Sequence, residues 1–175
     1  MIPAYGKGQY LEQTLRSVLA QAPGPEQMQI AVVENPSGND GIRQVVERVA
    51  GSRVEYYIND INLGMVGNWN RCIELARGEL VHILHDDDWL LSGFYDAIDE
   101  LATKNPTMAL YATRTIINSE ETGKKHSSKY IRHLKVDHKK THPLLINCEL
   151  YCPSVIIRNS FYREYGGFIE NMRFC

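Results

Sequence analysis

Short apolar runs and helical stripes alternate four times along the first hundred residues, and this alternation most restricts the fold. Met1-Ile2-Pro3-Ala4, Gln29-Ile30-Ala31-Val32-Val33-Glu34, Val54-Glu55-Tyr56-Tyr57-Ile58 and Leu80-Val81-His82-Ile83-Leu84 have the length and residue types of buried strands. Between them, Leu11, Leu15, Val18 and Leu19 recur at helical spacing over 9–21, with Pro23-Gly24-Pro25 ending that helix. Ile42, Val45, Val46 and Val49 form a second stripe, Trp69, Cys72, Ile73 and Ala76 a third, and Phe94, Ile98, Leu101 and Ala102 a fourth. Such a pattern predicts an α/β fold: a Rossmann-like, mostly parallel sheet with right-handed crossovers and helices on both faces. Past Lys104-Asn105-Pro106 the pattern changes. Short runs at Met108–Ala112 and Thr115–Ile117, and a last one at Ser154–Ile157, predict a mixed C-terminal portion of the sheet. The lysine-rich stretch from Ser119 to His142 reads as a solvated loop, long enough to act as a lid.

Ligands of open α/β sheets bind outside the carboxyl ends of the strands. Four of these ends carry polar or aromatic groups, at Tyr5, Glu34-Asn35, Asn59-Asp60 and Asp86-Asp87-Asp88, and they are expected to converge on one edge. The last group dominates. Two unit charges about 4 Å apart repel by about 1 kcal/mol in water and about 4 kcal/mol at a protein surface. Three adjacent carboxylates at a strand end therefore point to a hard divalent cation, Mg²⁺ or Mn²⁺, with positions left for water and phosphate. The competing reading is a solvated turn that caps the helix entered near Ser92.

Other chemistries fit less well. The first turn, Gly6-Lys7-Gly8-Gln9-Tyr10-Leu11, has leucine where a dinucleotide fingerprint needs its third glycine, and no Gly-Lys-Ser/Thr follows any strand. A net charge of -2 over 175 residues gives no drive toward nucleic acid, and no apolar run approaches a membrane span, so a cytoplasmic protein is expected. Four scattered cysteines read as buried thiols. Trp69, Trp89 and Cys152 read as packing, Asn68 and Asn70 as turn ligands, Arg71 as part of a solvated face, and His82 as a strand histidine with a satisfied ring.

Ile2-Pro3-Ala4-Tyr5, Ser17-Val18-Leu19-Ala20-Gln21, Val32-Val33-Glu34-Asn35-Pro36-Ser37, Asn62-Leu63-Gly64 with Asn68-Trp69-Asn70, Asp87-Asp88-Trp89 with Gly93, Pro153-Ser154 and Gly166-Gly167-Phe168 together resemble family 2 glycosyltransferases of the GT-A fold. Each motif is weak alone. Their order and spacing across the chain are specific. The resemblance implies a nucleotide-diphospho-sugar donor, a divalent metal, and a saccharide or lipid-linked acceptor, as in cell-surface polysaccharide synthesis. It implies a donor-binding half over 1–105 and an incomplete acceptor side over 106–175, with peripheral membrane association through regions beyond the chain. Carried over by position, Pro3, Ala4 and Tyr5 line the nucleoside, Glu34 faces the base or ribose, and Asn62, Asp86 and Asp87 complete the nucleotide site. Asp88, with Asp86, holds the metal; His85 stands where family members often have another Asp. Both ends read as cut. Met1-Ile2-Pro3-Ala4 reads as the last residues of a strand expected to begin earlier, and the catalytic base of an inverting transfer is expected beyond Cys175, since Glu170 lies too close to the Gly-Gly-Phe turn. The alternatives are a non-catalytic nucleotide-sugar-binding module or a sugar-nucleotidyl transferase.

Overall fold

The computed structural model describes residues 1–38, 40–119, 122–128 and 150–169. Three parallel strands, β1 (Ile2–Tyr5), β2 (Ala31–Asn35) and β3 (Glu55–Ile58), lie in that order, with Ala4 opposite Glu34 and Glu34 opposite Ile58. Helices α1 (Leu11–Leu19) and α2 (Gly41–Ala50) make the crossovers, and α3 (Gly64–Leu75) leads into β4 (Leu80–His82). Two backbone bonds, Met1 N to His82 O at 2.9 Å and Leu84 N to Met1 O at 3.0 Å, set the end of β4 beside the start of β1 in the parallel sense. The parallel order is therefore β3-β2-β1-β4.

Beyond β4 the sheet turns antiparallel. After α4 (Phe94–Lys104) come β5 (Leu110–Ala112), β6 (Ile116–Asn118), β7 (Lys125–Ser127), β8 (Val155–Arg158) and α5 (Asn159–Tyr165). Strand β8 runs between β4 and β5, antiparallel to both, with Ile156 opposite His82 and Tyr111. β6 and β7 form a separate antiparallel pair, so Lys125–Ser127 is strand where the sequence predicts loop. Residues 120, 121 and 129–142 of that predicted loop lie outside the described residues. So does Glu170.

Successive side chains of a strand point to opposite faces, and β2 is buried on both. Val32 joins Ile2, Leu11, Leu15, Val18, Ile42 and Val46 beneath α1 and α2. Val33 joins Trp69, Cys72, Val81, Ile83 and Tyr162 beneath α3 and α5. The predicted i, i+4, i+7 stripe of α1 is the buried one, while Glu12 of that helix pairs on the outside with Arg16 and Arg48, each at 2.8 Å. A smaller cluster of Ile98, Tyr111 and Ile156 seats α4 on the antiparallel half. No helix among the described residues is long and apolar enough to cross a membrane.

Candidate nucleotide and metal site

The carboxyl ends of β1, β2 and β4 share one edge, and Asp86 ties two of them together. Its Oδ2 accepts the Tyr5 N–H at 3.3 Å, and its carbonyl accepts the Thr14 hydroxyl at 3.1 Å. Burial raises the Asp86 pKa, opposed by the Tyr5 N–H. Helix α1 holds the following segment as well: Ser17 Oγ accepts the Leu90 N–H and Gln21 Oε1 the Phe94 N–H, each at 3.0 Å. Ser17 on α1 and Gln21 just past its end are four residues apart, so α1 and its C-terminal turn together fix the run from Asp86 to the start of α4. Gly93, at φ +83°, makes the left-handed turn into that helix.

With Asp86 turned toward β1, the ligand-bearing atoms of His85, Asp87 and Asp88 lie within 4.8 Å of one another. His85 Nδ1 is 3.5 Å from Asp88 Oδ2, and its ring stacks on Trp69 at 5.0 Å between centroids and 15° between planes. Burial works against charge on His85, but Asp88 and the bordering Cys152 thiol outweigh it and raise the imidazole to about 10. Two carboxylates and an imidazole form a donor set that fits a divalent first-row ion. The sequence reading paired Asp88 with Asp86; the structure groups Asp88 with Asp87 and His85, and Asp86 lies outside that group.

Of the residues expected to line the nucleoside, Pro3 and Ala4 are buried within β1, whereas Tyr5 is 59% exposed at its end. Glu34 is 1% exposed on the α1 and α2 side of the sheet. Its Oε2 accepts the Tyr56 hydroxyl, and its Oε1 is buried without a hydrogen-bond partner among the described residues. Burial, then the Glu34 carboxylate, pushes the Tyr56 phenol up. Asn62 is exposed and its Oδ1 accepts the Gly64 N–H at 2.8 Å, an Asx turn that opens α3.

On the other face, three asparagines that carry no catalytic signature form a buried network. Asn59 Nδ2 donates to Asn35 Oδ1 and Asn68 Oδ1, each at 2.9 Å, and Asn68 Nδ2 donates to the Val33 carbonyl at 2.9 Å. Asn35 reaches across to the loop before α3, accepting from Leu63 N at 3.1 Å and donating to Gly64 O at 2.9 Å. Asn70 clamps the Gly166-Gly167-Phe168 turn, donating to Phe168 O at 2.9 Å and accepting from Phe168 N at 2.7 Å. His82 has the expected partner, the Pro153 carbonyl at 2.9 Å from Nε2. A cavity of about 370 Å³ lies elsewhere, lined by Met28–Ile30, Leu80–His82 and Ile98 among others, and includes none of the carboxylates of the edge.

A family model described as Glycosyl transferase family 2 matches residues 1–166. An uncharacterised protein of Mycobacterium tuberculosis (strain CDC 1551 / Oshkosh) is 40% identical over 94 residues, 53% of this chain and 28% of that protein. The GalNAc(5)-diNAcBac-PP-undecaprenol beta-1,3-glucosyltransferase of Campylobacter jejuni is 28% identical over 107 residues, 59% of this chain and 34% of its own. Among solved structures, S. aureus TarS 1–349 superimposes with a TM-score of 0.65 at 17% identity, over 99% of this chain and 50% of TarS. The mannosyltransferase PcManGT of Pyrobaculum calidifontis, in complex with GDP-Man and Mn²⁺, gives 0.68 at 16% identity, over 98% and 47%. Structural likeness at these identities shows a shared fold. The matches span 28% to 34% of the curated relatives' lengths.

Proposed function

The chain belongs to glycosyl transferase family 2, and from that membership we propose that it takes a sugar from a nucleotide-diphosphate donor and passes it to a hydroxyl of a saccharide or lipid-linked acceptor. The observation that carries this reading is the grouping of His85, Asp87 and Asp88 at the same sheet edge where Asp86 meets the end of β1. Asp87 and Asp88 would hold Mg²⁺ or Mn²⁺. A bound divalent ion there would stabilise the negative charge that builds on the departing diphosphate. PcManGT was solved with GDP-Man and Mn²⁺ and TarS with UDP-GlcNAc, which supports a nucleotide-sugar on this edge. The Campylobacter jejuni relative, by name a GalNAc(5)-diNAcBac-PP-undecaprenol beta-1,3-glucosyltransferase, supports a lipid-linked acceptor.

The chain's own groups divide the work. Tyr5, exposed at the strand end, flanks the nucleoside. Glu34 Oε1 is a buried acceptor lacking a donor among the described residues, which a base N–H or a ribose hydroxyl would supply. Asp86, bonded to Tyr5 N, sets the spacing between the β1 end and the cation residues rather than holding the ion. Asn62 shapes the rim through its turn. Inversion at the sugar needs a carboxylate base on the face opposite the diphosphate, and we assign that role to the region after the Gly166-Gly167-Phe168 turn.

A thermal-shift panel of UDP, GDP, CMP and dTDP sugars, with and without Mn²⁺, tests the donor site. At a hundredfold excess over Kd one of them should add about 2.7 kcal/mol of stability, a rise of about 5–10 °C, only when the metal is present. Asp88→Ala should abolish that rise. A panel with no metal-dependent shift, or a shift that survives Asp88→Ala, overturns the assignment.

A further inference from the structure

We propose that His85 is a direct ligand of the donor-site cation through Nδ1, giving the site one nitrogen and two carboxylate groups and a preference for Mn²⁺ over Mg²⁺. This rests on the donor-site reading above and deepens it. Ligand atoms held about 2.1 Å from a small octahedral ion lie about 3 Å apart when adjacent and about 4.2 Å when opposite. The 3.5 Å between His85 Nδ1 and Asp88 Oδ2 falls between these, and is long for a strong hydrogen bond. Asp87 completes a set whose atoms all lie within 4.8 Å of one another.

The ring is also held in place. Trp69 stacks on it at 5.0 Å, Phe168 meets Trp69 edge-on at 5.0 Å, and Asn70 fixes Phe168 by two backbone bonds. Nε2 is buried, so the nitrogen turned to the carboxylates is Nδ1, and the cation takes the place of the Nδ1 proton, which is released to solvent. A side chain immobilised this way loses little freedom on binding an ion. Imidazole nitrogen suits first-row transition ions, whereas Mg²⁺ demands oxygen ligands and gives up water reluctantly. The Gly166-Gly167-Phe168 turn thus acts at a distance, through Trp69, as a positioning device for a metal ligand.

Pulsed electron paramagnetic resonance of bound Mn²⁺ tests this without reference to turnover. The sample is the intact chain with Mn²⁺ and the nucleoside diphosphate that gives the largest thermal shift. Electron spin echo modulation from a directly bound ¹⁴N should appear, and should change to the ¹⁵N pattern when histidine alone is ¹⁵N-labelled. In His85→Asp the histidine signal should vanish while Mn²⁺ stays bound, and the ratio of Mn²⁺ to Mg²⁺ affinity should fall at least about tenfold. Bound Mn²⁺ without histidine modulation in the unsubstituted chain, or an unchanged affinity ratio in His85→Asp, overturns the proposal and leaves the donor site standing. If Mn²⁺ does not bind at all, the donor-site reading itself falls. The labelled, unsubstituted chain decides the matter even if the variant does not fold.

Discussion

Asn68 is 3% exposed and spends both ends of its amide inside the protein, on the Val33 carbonyl and on Asn59. Asn68→Leu would fit the volume yet leave a buried carbonyl and a buried amide proton without partners. Each such orphan costs about 1–3 kcal/mol, so urea unfolding should show a loss of about 2–6 kcal/mol. His82 gives a prediction with a definite sign. Burial, opposed by the bond to the Pro153 carbonyl, lowers its pKa from 6.5 to about 3. The unfolded chain therefore binds a proton first as pH falls, and the stability His82 contributes is complete above pH 6.5 and lost progressively toward pH 3. A urea midpoint measured from pH 7 to pH 5 should fall, and His82→Gln should flatten that fall. The satisfied ring of His82 was legible in its alternation with apolar neighbours. The asparagine network was not: Asn35 and Asn59 read as polar strand ends and Asn68 as a turn ligand, and the bonds that join the three depend on the fold rather than on local spacing.

At the scale of elements, α1 is both a core helix and the brace of the site. Gln21→Ala removes the acceptor of the Phe94 N–H and the donor to Leu91 O, at 3.0 and 3.2 Å. Two hydrogen bonds of this kind are worth about 1–3 kcal/mol together. We expect that loss in denaturation, together with faster amide hydrogen exchange at residues 90–94 and little change in β2. The motif Ser17-Val18-Leu19-Ala20-Gln21 was visible in the sequence, but the partners of its two polar members lie about seventy positions away and cannot be read from spacing. β7 escaped detection for a different reason: Lys125, His126 and Ser127 are all exposed, so no hydrophobic alternation marks the strand. His85 was legible as a departure from the family's usual Asp, while its grouping with Asp87 and Asp88 depends on Asp86 turning away to Tyr5.

For the whole molecule, Cys72 reports on integrity. It lies on the buried face of α3, and burial pushes its thiol up to about 12. Alkylation at pH 8 should therefore be slow, and on a urea gradient the labelling of the Cys72 peptide, followed by mass spectrometry, should rise along the same curve as global unfolding. Labelling well below the unfolding midpoint would mean that α3 opens separately. The parallel half of the sheet followed from the alternation of strands and helices. The place of β8, between β4 and β5, comes from residues more than seventy positions downstream of β4 and had no local signal. That β1 lies between β2 and β4 bears on how the protein is made. Met1 finds its partner His82 only across a separation of 81 residues, so one side of β1 stays unpaired while all the intervening chain is synthesised. At about 5–20 residues per second that interval is about 4–16 s, and an open strand edge is a template for pairing with other chains. Synonymous codon changes that prolong translation between β3 and β4 should thus raise the aggregated fraction without altering a single residue.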